Sequence, residues 1–133
     1  MNITDALNKT ADHIEQNPTL YDFNQGMVLG ERDGNYPACM LARLGQVVGM
    51  ARGLQCTHVA HAVLGMTAGE VYAAVLERAG HPGYNAALYV APVVAVGLRK
   101  LAHKYEGIPL DVRKLFDPRV EFEPRYPEVV PLV

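Results

Sequence analysis

Thr67-Ala-Gly-Glu70-Val-Tyr-Ala-Ala-Val75-Leu-Glu-Arg-Ala-Gly80 sets the fold class of this chain. Thr-x-x-Glu is the pattern of a capping box: the hydroxyl serves the N–H three residues on, and the carboxylate reaches back to the cap. Val71, Ala74, Val75 and Arg78 then share one helical face, and Gly80 with Pro82 ends the run. Working toward the N-terminus, Thr57 is placed to cap a short helix through His58–Leu64. Before it a helix begins near Pro37, where a missing N–H costs nothing. Met40, Leu44, Val47, Val48 and Ala51 line that helix, with Gly53 as its C-terminal cap. Gly45 and Gly49 give it a smooth surface for the close approach of another helix.

The first helix runs from about Ile3 to Gln16. Asn2 is its cap, Ile3, Leu7, Thr10, Ala11 and Ile14 form its apolar face, and Asn17-Pro18 stops it. Between the first two helices, Met27-Val28-Leu29 and then Asp33-Gly34 signal a short β-hairpin near 27–36, with Pro37 confining the return arm to an edge. The last helical pattern covers Asn85 to Glu106, with Val94, Leu98, Leu101 and Tyr105 as its seam. Pro92 either kinks it or starts its second half. The expected fold is mainly α: a compact bundle of about five helices, a possible short hairpin and an extended C-terminal arm.

The chain has 133 residues, half of them hydrophobic and a fifth charged, which suits one globular domain without a disulfide or metal staple. Every glycine lies at or before Gly107, whereas Pro109, Pro118, Pro124, Pro127 and Pro131 follow it. That shift divides a helical body, 1–107, from a Pro-rich arm, 108–133. Twelve Lys and Arg against fourteen Asp and Glu give a net charge of −2, which removes the electrostatic argument for nucleic acid. Two cysteines are too few for a secreted disulfide framework. The longest charge-free stretch, Ala79 to Leu98, contains turn residues and Pro92, so it reads as core rather than a membrane span. No basic n-region and apolar h-region open the chain. The expected location is the cytoplasm.

Cys39 is the most suggestive single residue, because a thiol in the first turn of a helix meets the positive end of the macrodipole. A thiol hydrolase or transferase would set His58, His61 or His103 beside it as base. No local nucleophile signature accompanies it, and a buried apolar thiol is the plainer expectation. Cys39, Cys56, His58 and His61 together could make a zinc tetrahedron, but neither paired-cysteine nor paired-histidine spacing is met, so no metal or other cofactor is expected. The cluster Arg99, Lys100, His103 and Lys104 is what a helix dipole selects at a C-terminus. The arm carries more weight. Val120, Phe122, Tyr126, Val129 and Val130 are costly to leave in water, and the prolines keep the segment extended, so it needs a surface. That surface belongs to its own body, to a second copy in a homo-oligomer, or to another protein partner.

Ala38-Cys39-Met40-Leu41-Ala42 and Thr67-x-x-Glu70-Val71, ending Leu76-x-x-Ala79, resemble a group of small uncharacterised proteins of actinobacteria and their phages, known as a domain of unknown function. The resemblance spans about a third of the chain. It implies a helical fold and a phage or mobile-element origin, and it assigns no catalytic residues. The expected function is a small, soluble, non-catalytic binding or interaction protein. The alternative is a small cysteine-dependent hydrolase or transferase using Cys39 with a histidine.

Overall fold

A computed structural model describes residues 1–23, 38–50, 56–82, 88–111 and 115. Over these residues the protein is mainly helical, with five principal helices: α1 (Ile3–Gln16), α2 (Met40–Val47), α3 (Cys56–Leu64), α4 (Ala68–Arg78) and α5 (Ala91–Ala102). No strand occurs among the described residues. Two isolated bridges, Tyr21 with Ala38 and Asn2 with Pro109, are the only β pairings there. The hairpin expected near 27–36 lies outside the described residues.

Helix α1 forms where its sequence predicts. The Asn2 side chain accepts the Asp5 N–H at 2.7 Å, and Ile3, Leu7, Thr10, Ala11 and Ile14 are all buried. Thr10 is buried without penalty because its hydroxyl donates to the Ala6 carbonyl. Helix α4 opens on the expected capping box: Thr67 Oγ1 accepts the Glu70 N–H at 3.1 Å, and Glu70 Oε1 accepts the Thr67 N–H at 2.9 Å. Helix α5 resolves the choice at Pro92. Val90 is its N-cap and the proline occupies the first turn, so Pro92 starts the helix rather than bending a longer one. A tight 3₁₀ turn, His103–Tyr105, extends it.

Two expectations about glycine need correction. Helix α2 ends at Val47 rather than near Gly53, because Gly49 takes φ +76°. The Met50 N–H then bonds the Gly45 carbonyl and the Gly49 N–H bonds the Gln46 carbonyl, which is a Schellman closure. Gly49 faces open space, so its role is the cap and not a helix contact. A close helix approach does occur at Gly97 of α5, where an added Cβ would collide with the backbone and Cγ1 of Val75 in α4.

Helix α5 is central, packed on α1 and α4, while α2 lies against α1 and α3. Leu7, Ile14, Leu44, Leu76, Leu98 and Leu101 are almost wholly removed from water at their junctions. Burying one such side chain contributes about 1.5–3 kcal/mol, enough to set the order of the helices. Thr4 Oγ1 donates to the Ala102 carbonyl at 2.7 Å, and Arg99 reaches from α5 to Asp12 at 2.6 Å and Glu15 at 3.2 Å on α1. No single helix among the described residues is long and apolar enough to cross a membrane.

The described residues beyond Gly107 lie on the body. The Ile3 N–H donates to the Ile108 carbonyl, Pro109 bridges Asn2, Leu110 packs against the core and Leu115 is buried in it. The first part of the 108–133 segment therefore docks in cis. Val120, Phe122, Tyr126, Val129 and Val130 lie outside the described residues.

Candidate functional site

The N-terminus of α2 is fixed before its chemistry begins. The Ala38 N–H donates to the Leu20 carbonyl at 2.8 Å, and the Asp22 N–H donates to the Ala38 carbonyl at 3.0 Å. This short bridge holds Cys39 at the N-cap of α2 with extended backbone, and its Sγ accepts the Ala42 N–H at 3.4 Å. Sulfur thus occupies the place where Ser, Thr, Asp or Asn ordinarily supplies an oxygen.

Helix α3 begins at Cys56 and brings a second thiol against the first, Sγ to Sγ at 3.1 Å. Cys39 is fully buried and Cys56 is partly exposed. The hydrogen bond from Cys56, together with those from Tyr72 and the Ala42 and Leu41 N–H groups, pulls the Cys39 thiol down from 9.0 to about 6 against the opposing effect of burial. The same bond, reinforced by burial and by the neighbouring charge, pushes Cys56 up. The shared hydrogen bond therefore favours the charge on Cys39 and the proton on Cys56.

Tyr72 reaches the pair from an aromatic cluster. Phe23 stacks on Tyr89 with centroids 4.7 Å apart, and Tyr72 meets both edge-on at 5.5 and 5.0 Å. Burial and the nearby thiols hold the Tyr72 hydroxyl well above its ordinary range. The Tyr21 hydroxyl is also raised, first by burial, and has no hydrogen-bond partner among the described residues. Behind Cys39 lies Arg43, 2 % exposed, donating to Gln46 Oε1 at 2.6 Å and to the Leu20 carbonyl at 3.4 Å. Burial lowers its pKa and the Cys39 charge opposes that shift, so the guanidinium stays charged and favours the thiolate.

The histidines take other places. His58 is buried on α3, held below its ordinary value chiefly by burial, with the Leu115 carbonyl accepting from its ring. His61 is exposed, and exposed His103 pairs with Glu106 at 2.7 Å. None of the three is among the groups that set the charge on Cys39. No three His, Cys, Asp or Glu side chains gather as a metal site among the described residues. Cys39 and Cys56 are together, and His58 and His61 do not complete a tetrahedron around them. Phe23, Tyr72, Tyr89 and Arg43 join the site without a sequence signal. Arg43 reads in sequence only as a charge interrupting an apolar helix, and the aromatics share no spacing with either cysteine.

A second feature is an open, mostly apolar depression of about 380 Å³ at the C-terminal end of α3, bordered by Ile3, Leu64, Tyr105, Ile108, Pro109 and Asp111. Tyr105 fixes its floor by donating to the Leu64 carbonyl at 3.0 Å. No family model, curated protein or solved structure matches this chain.

Proposed function

We propose that this chain is a small, non-catalytic interaction protein of the cytoplasm that pairs with a second copy through its C-terminal arm. One observation carries the reading: the root of the arm is fixed. The Ile3–Ile108 hydrogen bond, the Asn2–Pro109 bridge and buried Leu115 hold it to the body beside an apolar depression. A fixed root orients whatever follows, and the sixteen residues 115–130 span at most about 55 Å when extended, enough to reach a neighbour. Val120, Phe122, Tyr126, Val129 and Val130 supply the apolar area such a contact needs. Nucleic acid and membrane are not partners in this reading. A cysteine hydrolase or transferase must present its nucleophile to substrate, whereas Cys39 is wholly buried.

Light scattering across a concentration series tests the proposal. The full chain should be an oligomer, and the triple variant Phe122→Asp, Val129→Asp, Val130→Asp should be a monomer with an unchanged helical circular dichroism spectrum. A full chain that stays monomeric at every concentration, or a variant that assembles as the parent does, defeats it.

A further inference from the structure

We propose that Cys39 and Cys56 form a thiol–disulfide site, oxidised reversibly by a low-molecular-weight disulfide that enters through Cys56. The two sulfurs come from different helices and stand 3.1 Å apart, about 1 Å beyond bonding distance. Bond formation needs the two sulfurs to approach by about 1 Å. The two thiols differ in access and in charge. Cys56 is partly exposed, while Cys39 is wholly buried with its sulfur against that of Cys56. The N-cap position, the Ala42 N–H and the buried Arg43 guanidinium favour negative charge on Cys39, so the Cys56 thiolate is the minor form and the first attack is the slow step.

The steps balance with the small disulfide as oxidant. Cys56 passes its proton to Cys39 across the 3.1 Å contact, and the resulting Cys56 thiolate attacks one sulfur of R–S–S–R. A mixed disulfide forms on Cys56 and one thiolate leaves, collecting a proton from solvent. Cys39 then gives up its proton and attacks the Cys56 sulfur. The protein disulfide forms, and the second small thiol departs with that proton. Two protein thiols are oxidised, one small disulfide is reduced to two thiols, and no other reactant is needed. In a reducing compartment such a bond is transient, which suits a responsive site rather than a permanent staple.

The test uses the full-length reduced protein, incubated natively with excess oxidised glutathione and quenched in acid. The expected product is a monomer lighter by two hydrogens, with no glutathione retained, a single linked peptide pair holding Cys39 and Cys56, and full recovery on reduction. Cys39→Ser, which keeps a good capping side chain, should stop at glutathione bound to Cys56. Cys56→Ser should leave Cys39 reacting at least roughly tenfold more slowly than the parent pair. Thiols that survive in the folded protein and oxidise only after unfolding overturn the proposal. So does a bond formed between two chains, or a Cys39 that reacts undiminished without Cys56. The wild-type result needs no variant, so a variant that fails to fold does not shield the idea.

Discussion

The seam where α5 crosses α1 and α4 and the corner where α2 begins beside α3 are both dry, but their interiors differ in kind. The seam is filled by Leu7, Ile14, Val75, Leu98 and Leu101 around Gly97. The corner buries Cys39, Arg43 and His58, with Tyr72 bonded to the Cys39 thiol and Phe23 and Tyr89 packed on the Tyr72 ring. Aliphatic groups ask only for shape, so the seam fixes where the helices lie. Polar groups must also be paired, so the corner fixes which protonation states the fold tolerates. Steric substitutions should therefore act at the seam and changes of pH at the corner.

Gly97→Ala should have the largest effect. The new methyl has nowhere to go, because the nearest obstacle is the Val75 carbonyl, part of a helix backbone and not a movable side chain. Overpacking of this kind costs about 1–3 kcal/mol, and backbone contact places it at the upper end. Urea unfolding should show a clear drop in midpoint. A loss below about 0.5 kcal/mol would mean that α4 and α5 separate readily and the seam is not shape-limited.

The corner should answer to pH, and the directions agree. His13 and His58 are held below their ordinary 6.5 by burial, with Arg43 adding to the effect on His13. Cys39 is drawn from 9.0 to about 6 by its hydrogen bonds. Each binds fewer protons in the native state than in the unfolded chain, so stability should rise with pH up to about 9. Tyr21, Tyr72 and Tyr105 are raised above 10.0 chiefly by burial, and Cys56 is raised by its bond to Cys39. These keep protons that the unfolded chain releases, so stability should fall above about pH 9 through Cys56 and further above pH 10 through the tyrosines. Denaturation midpoints across this range should trace a dome. Cys39→Ser should flatten its rise between about 6 and 9 and weaken the alkaline fall, because Cys56 and Tyr72 lose the neighbouring charge, whereas an unchanged rise would deny the thiolate.

The two regions were also unequally legible. The stripe of Ile3, Leu7, Thr10, Ala11 and Ile14, the Thr67–Glu70 box and the Val94, Leu98, Leu101, Tyr105 seam all follow from periodicity and capping, which are local properties. The end of α2 was misplaced because Gly49 and Gly53 offer equal capping chemistry, and only the Met50–Gly45 bond selects between them. Position in a first turn singles out Cys39, whereas Cys56 is joined to it in sequence only as a weighed zinc ligand and not as a thiol partner. Cys56 is seventeen residues away, and what joins them is the meeting of two helix starts, which no local pattern encodes. Tyr72 was hidden for the same reason: it sits one residue from the Val71 seam position and faces the thiols across the bundle.

Thr67→Ala should cost about 1 kcal/mol, the usual value of an N-cap, because the hydroxyl–Glu70 N–H bond at 3.1 Å has no substitute. The loss should appear in the unfolding midpoint and leave Cys39 titration unchanged, since the cap lies on the solvent side of α4. A shift in that titration would show that the corner depends on how α4 is seated.

Arg99→Met should have the smallest effect and bears most directly on what holds the seam. Arg99 ties α5 to Asp12 at 2.6 Å and Glu15 at 3.2 Å, but its side chain is 35 % exposed and the carboxylates are 53 % and 56 % exposed. Pairs of this kind contribute roughly 0–1 kcal/mol, because water screens them and two long side chains must be ordered. Methionine keeps the apolar stem against the helix and removes only the charge. The expected change is below about 1 kcal/mol at low salt and shrinks near 1 M salt, where the screening length falls to about 3 Å. A salt-independent loss of about 2 kcal/mol or more would assign the α1–α5 order to the ion pair. The aliphatic packing would then follow from that order instead of setting it.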